Sequence, residues 1–213
     1  MIIKSEIIDE YLKTGNLINV ADHWIYHHIV PGEYRLEEPR DFSLKTFNWL
    51  YKKTREKLIN FTPLNLELWD RIFGPIQIPN HILIYLIVGA PKGYEAIVRE
   101  DSSGNRYIII DLAQICNYST DMNQLDFIIF DFITHEVAHA LISLKYPYSN
   151  HLSKSQLLNQ LTFDEGIAHF LSYREYVLEV DWHTDEMKKR KAAAYQHLKA
   201  NFLTPPSFHS IQQ

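Results

Sequence analysis

Residues 127–144 read FIIFDFITHEVAHALISL. Apart from Asp131, Thr134, His135, Glu136, His139 and Ser143, every residue in that stretch is apolar. Thr120 or Asp121 can cap a helix ahead of it and Tyr146-Pro147 closes it, so a helix is predicted over about 122–144. Positions i and i+4 of a helix lie about one turn apart on one face, so His135 and His139 can hold one divalent cation between them. Glu136 is turned by about 100° and can approach a water on that cation without being a ligand. Burying His-Glu-His without partners would cost several kcal/mol, which a bound ion removes. Two helical imidazoles with an adjacent carboxylate point to zinc, which lowers the pKa of a bound water and polarises a carbonyl.

The rest of the composition bounds the setting. The chain has 213 residues, 46% apolar and 22% charged, which is enough to bury a core without disulfides. A net charge of −5 disfavours a nucleic-acid partner. The single cysteine, Cys116, excludes a cysteine-rich metal site and reads as a small buried apolar group, whereas eleven histidines suit metal chemistry. The longest uninterrupted apolar run, Ile82 to Ala90, is too short to span a bilayer, and no secretion signal opens the chain. A cytoplasmic protein without a membrane or nucleic-acid partner is the expectation.

Outward from the central helix, the period of the apolar residues changes twice. Residues 2–13 read as a short helix stopped at Gly15-Asn16, Ser43 caps a second, and Thr62-Pro63 opens a third that ends at Gly74-Pro75. Three strand candidates follow, at 82–88, 94–99 and 106–111, expected as antiparallel neighbours, with Asp101 to Asn105 as a hairpin turn. After a polar loop from Pro147 to Leu161, helices are predicted over 163–180 and 185–202. The order gives an α+β fold with a small antiparallel or mixed sheet, a helical portion over 1–80 and a core over 81–213.

Two histidines rarely hold zinc alone. A glycine and a ligand three and six residues after His139 would mark a metzincin, but Ile142 and Lys145 stand there. The next candidates are Asp164, Glu165 and His169, in Thr162-Phe163-Asp164-Glu165-Gly166-Ile167-Ala168-His169. Thr162 and Glu165 also match a capping box. Glu165 and His169 are one turn apart and can share a face, whereas Asp164 is expected to face elsewhere as a first-turn acid. Gly166 is expected to let two helices approach closely.

His135-Glu136-Val137-Ala138-His139 followed by Glu165-Gly166-Ile167-Ala168 resembles the gluzincin pattern, and the stretch 81–180 is similar to uncharacterised bacterial families of zinc-dependent peptidases. The resemblance implies a zincin-like fold, one zinc per chain held by His135, His139 and Glu165, and peptide hydrolysis with Glu136 as general base. It also implies substrate addition to a strand beside the cleft, for which 106–111 is the candidate. In thermolysin-like members an aspartate stands four residues after the ligand glutamate and buttresses a histidine; here that position is His169. An oxyanion donor is required as well, and Tyr173, two turns after Glu165, is the candidate. Asp131, one turn before His135, could orient it but reads more simply as a solvated residue, as does the pair His27-His28. A domain that binds zinc without catalysis is the rival class; the sequence names no substrate beyond a peptide or protein.

Overall fold

The computed structural model describes residues 1–75, 82–101, 104–147, 152–172 and Lys189. They belong to two compact units. The first comprises Met1–Tyr148 with Asp164–Arg174, and the second Ser149–Phe163 with Glu175–Gln213. Helices and a small mixed sheet make the first unit an α+β structure.

Its sheet has four strands, β1 (Ile2–Lys4), β2 (Leu83–Ile87), β3 (Ala96–Glu100) and β4 (Arg106–Asp111), in the order β1-β2-β4-β3. β3 and β4 form the expected hairpin, with Val98 opposite Ile108. Its turn is built on Asp101, whose backbone carbonyl accepts from the Gly104 amide at 3.0 Å and whose carboxylate accepts from the Asn105 amide at 2.9 Å. β2 corrects the expectation: it runs parallel to β4, with Ile84 opposite Ile108. The chain leaves β2, forms β3 at the edge, and returns as β4 between them. The composition explains the placement. Tyr107 to Asp111 are buried on both faces and suit a central strand, whereas Arg99 and Glu100 sit more easily at an edge. Central placement also rules out 106–111 as the strand that could take a substrate segment, since both its edges are already paired.

The predicted helix over 2–13 is a strand and a helix. Ile2 to Lys4 pair in parallel with Leu83 to Tyr85, and α1 (Glu6–Thr14) begins after Ser5. Isoleucines at positions 2 and 3 favour extended backbone, and pairing against β2 decides the matter. Gly15, with a φ of 69°, ends α1 by donating its amide to the Tyr11 carbonyl at 2.8 Å. α2 (Leu44–Ile59) starts at the predicted cap, with the Ser43 hydroxyl accepting from the Thr46 amide. α3 (Leu66–Phe73) starts later than Thr62-Pro63 suggests. The intervening chain is tied down instead: the Leu64 amide donates to Thr134 Oγ1 at 3.4 Å, and Asn65 Nδ2 donates to the Leu171 carbonyl at 3.1 Å.

Residues paired across strands share a sheet face. Tyr85 and Tyr107 lie on one face and pack edge-on against Trp24, with ring centroids 5.2 and 5.5 Å away. The Tyr107 hydroxyl and His28 Nδ1 share a hydrogen bond of 2.6 Å. His27 and His28 are exposed on this side, in keeping with their sequence reading. On the opposite face, Arg106 pairs with Glu100 and reaches the Ala140 carbonyl of α5 (Met122–Lys145). α5 spans the predicted range, with Asp121 as its cap, accepting from the Asn123 amide at 2.8 Å. Although no uninterrupted apolar run is that long, α5, with its polar interruptions, is long and apolar enough to cross a membrane by length and composition. Half of that stretch is buried inside the protein, as in a core helix.

β2 and β4 are locked at their ends by Asp111, which is fully buried. Its carboxylate accepts from the Ala90 amide at 2.6 Å and from the Gln114 amide at 2.9 Å, and so caps α4 (Leu112–Cys116). Nearby Gly89 has a φ of 103°, and a Cβ there would fall 2.6 Å from Leu36 Cδ1, so only glycine fits. Burial pushes the Asp111 carboxyl up to about 6, against the four backbone amides that favour its charge. The folded state therefore takes up this proton before the unfolded state does, and the contribution of Asp111 to stability falls as pH rises between about 4 and 6. The unfolding free energy of the wild type relative to Asp111→Asn should drop by about 3 kcal/mol over that window. Urea unfolding of both proteins at several pH values checks this; a difference that does not change with pH contradicts it.

Candidate metal centre

The site begins with α5. Ile129, Ile133, Val137 and Ala140 anchor the helix in the core, and His135 and His139 sit beside that stripe, mostly buried. Their Nε2 atoms face each other at 2.9 Å. α6 (Lys154–Ser172) supplies the opposing groups, all from its part in the first unit.

The buried residues of α6 are Asp164, Ala168, Leu171 and Ser172, an i, i+4, i+7, i+8 stripe. Asp164 is thus turned inward, not away as expected from its place before Glu165. The phase of the helix is set by Ala168 and Leu171, and Asp164 falls on their face. Its Oδ1 lies 3.0 Å from His139 Nδ1. A proton on Nδ1 donated to this carboxylate leaves Nε2 as the lone-pair donor, the tautomer that a metal ligand requires. Glu165 and His169 stand about 100° around the helix, on the shoulder of the buried stripe.

Glu165 nevertheless reaches the histidines. Its Oε2 is 3.6 Å from His135 Nε2 and 3.6 Å from His139 Nε2. A triangle with edges of 2.9, 3.6 and 3.6 Å has its corners about 2.0 Å from its centre. Zinc holds nitrogen and oxygen at about 2.0–2.2 Å, so an ion fits at or just off that plane. His169 adds a second possible set: His135, Glu165 and His169 each offer a ligand atom within 4.8 Å of the others. That set is looser, with His169 Nε2 3.9 Å from Glu165 Oε2. Tetrahedral ligands lie about 3.3–3.4 Å apart, which favours the set containing His139.

The electrostatics suit a cation. The facing imidazoles of His135 and His139 hold the Glu165 carboxyl well below its usual range. Burial alone would lower the pKa of His139, but Asp164, Glu165 and Glu136 outweigh it and push it up to about 10. A cation bound at Nε2 would take the place of that proton. Glu136 is buried, and burial raises its carboxyl, with His139 and His135 opposing.

Several expectations change. The capping-box reading of Thr162 and Glu165 fails, because α6 starts at Lys154 instead of about residue 163. Thr162 lies inside the helix and donates its hydroxyl to the Leu158 carbonyl at 2.8 Å. The real start signal is Ser153 with Gln156: the Ser153 hydroxyl faces the Gln156 amide at 3.3 Å, and Gln156 Oε1 accepts from the Ser153 amide at 2.9 Å. Gly166 is not a point of close approach, since a Cβ there would meet nothing within 4 Å; Ala168, fully buried, is the small residue packed inward. Asp131 is half-buried rather than fully solvated. Its Oδ1 is buried without a hydrogen-bond partner, and burial raises its carboxyl, with Ser172 and His135 opposing. Tyr173 and, apart from Lys189, the helix expected over 185–202 lie outside the described residues.

Comparison with protein families, with curated proteins and with solved structures finds no match to this chain.

Asp164 is the residue that sequence reasoning passed over, and it carries a measurable consequence. Removing such a carboxylate from behind a ligating imidazole typically costs 10–100-fold in metal affinity. Asp164→Ala should weaken zinc binding by about that factor, measured by competition with a chromophoric chelator. Unchanged affinity would show that the Asp164–His139 bond does not orient the ligand.

Proposed function

We propose that the protein is a zinc-dependent hydrolase that cleaves peptide bonds, with His135, His139 and Glu165 as the ligands and Glu136 as general base. The observation that carries this is the convergence of His135 Nε2, His139 Nε2 and Glu165 Oε2 within 3.6 Å of one another, next to a buried carboxylate on the same helix. Three protein ligands leave a fourth position for water, the arrangement of catalytic rather than structural zinc. When bound, zinc supplies Lewis acidity toward a water and a carbonyl oxygen.

The side chains supply the rest. Glu136 takes a proton from the water as its oxygen bonds to the carbonyl carbon. The same carboxyl then returns a proton to the nitrogen as the C–N bond breaks, yielding a carboxylic acid and an amine. Burial raises the affinity of Glu136 for that proton, which suits a group that must hold it between the two steps. Asp164 keeps His139 in the ligating tautomer. β3 supports a peptide substrate in particular. Among the described residues it pairs only with β4, and an unpaired outer edge is the kind of strand to which an extended chain adds.

Glu136→Gln separates binding from chemistry. The variant should keep one zinc per chain, by elemental analysis, and lose about 10²-fold or more of wild-type turnover on a peptide library. Loss of zinc in Glu136→Gln contradicts its assignment as base. Wild type that binds zinc but turns over no peptide or protein contradicts the hydrolase proposal in favour of a non-catalytic zinc-binding domain.

A further inference from the structure

The candidate centre is buried on one side and open on the other. The side chains of His135 and His139 are 15% and 13% exposed, whereas those of Glu165 and His169 are 57% and 60% exposed. The histidines of α5 form a floor, and Glu165 and His169 form its more exposed rim. The His169 ring packs against the His135 ring, with centroids 4.6 Å apart and planes at 59°. Its Nε2 is 3.9 Å from Glu165 Oε2, beyond a tetrahedral ligand edge of about 3.3–3.4 Å but within one hydrogen bond of anything held beside that carboxylate.

We infer that His169 donates a hydrogen bond to the substrate oxygen that lies against the cation. A neutral imidazole carries one N–H donor, and the ring contact with His135 sets where that donor stands on the rim. The backbone beneath it is fixed. The Ser172 hydroxyl faces the His169 carbonyl at 3.3 Å, and Asn65 ties the Leu171 carbonyl at 3.1 Å. A donor held in place before the reaction stabilises developing negative charge without reorganising, and loss of one such donor typically costs 10²–10³ in kcat. The role rests on the hydrolase proposal above; the geometry that assigns it is the position of His169 on the rim, outside the tighter ligand triangle.

Cobalt-loaded full-length protein tests this without requiring turnover. The visible spectrum reports the ligands, and titration with phenylphosphonate, whose tetrahedral oxygens mimic the charge of the reacting centre, reports the donor. His169→Phe should leave cobalt affinity and the spectrum unchanged and weaken phenylphosphonate binding by about tenfold, the worth of one such hydrogen bond. His169→Gln, which keeps an N–H, should recover part of the loss. A changed spectrum with a large fall in cobalt affinity in both variants would make His169 a fourth protein ligand and overturn the inference. Equal phenylphosphonate binding by wild type and His169→Phe would overturn it as well. Wild type that takes up no cobalt contradicts the metal centre itself, and is distinguished from the other outcomes by the first titration alone.

Discussion

The contact between Asp164 Oδ1 and His139 Nδ1, 3.0 Å long and nearly closed to solvent at both ends, sets the arrangement of everything around it. It couples the inner stripe of α6 to the helix that carries both imidazoles. With Asp164 inward, Ala168, Leu171 and Ser172 must follow on the same face, and Glu165 and His169 are carried to the shoulder. A shift of one residue in that phase would place Glu165 in the core and His169 beside it, with no opening. The long glutamate side chain is what lets a carboxylate reach the two imidazoles from a shoulder position, since it can bend back toward His135 and His139 where an aspartate would fall short.

Burial and charge are balanced at this place rather than minimised. Glu136 and Asp164 are buried, Asp131 keeps an unpartnered oxygen in the interior, and His139 is charged through its carboxylate neighbours. Buried groups of this kind are costly unless each has a partner. A dication held between the two imidazoles and Glu165, as proposed, would compensate the most crowded part of the cluster. The remainder of the first unit is conventional by comparison: β2 and β4 bury isoleucines on both faces, and Asp111 is their one fully buried charged residue, with backbone amides as its partners.

Much of this was legible before any coordinates. The α5 boundaries followed from the Asp121 cap and from Tyr146-Pro147, and the hairpin followed from Asp101 and Asn105, because local chemistry alone decides those features. Parallel pairing of β2 with β4 was not legible, since it depends on which strand of the hairpin lies inside. Ile2 to Lys4 read as the start of a helix because nothing local shows that β2 offers an edge there. The inward turn of Asp164 was written in the spacing Asp164, Ala168, Leu171, but adjacency to Glu165 drew the reading toward the wrong face. Ser153 with Gln156 was an overlooked helix start hidden in a polar stretch. The convergence of Glu165 on the histidines lay beyond spacing altogether, because it is a property of two helices packed together.

The proposed centre has two imidazoles of α5 and one carboxylate of α6 holding a single zinc. Zinc K-edge X-ray absorption on zinc-loaded wild type and on Glu165→Ala tests it most directly. One zinc bound by two imidazoles is expected, with oxygen at about 2.0–2.2 Å completing four ligands, and a weaker, altered site when Glu165 is removed. No bound zinc, a shell with three imidazoles, or a spectrum indifferent to Glu165→Ala would contradict it.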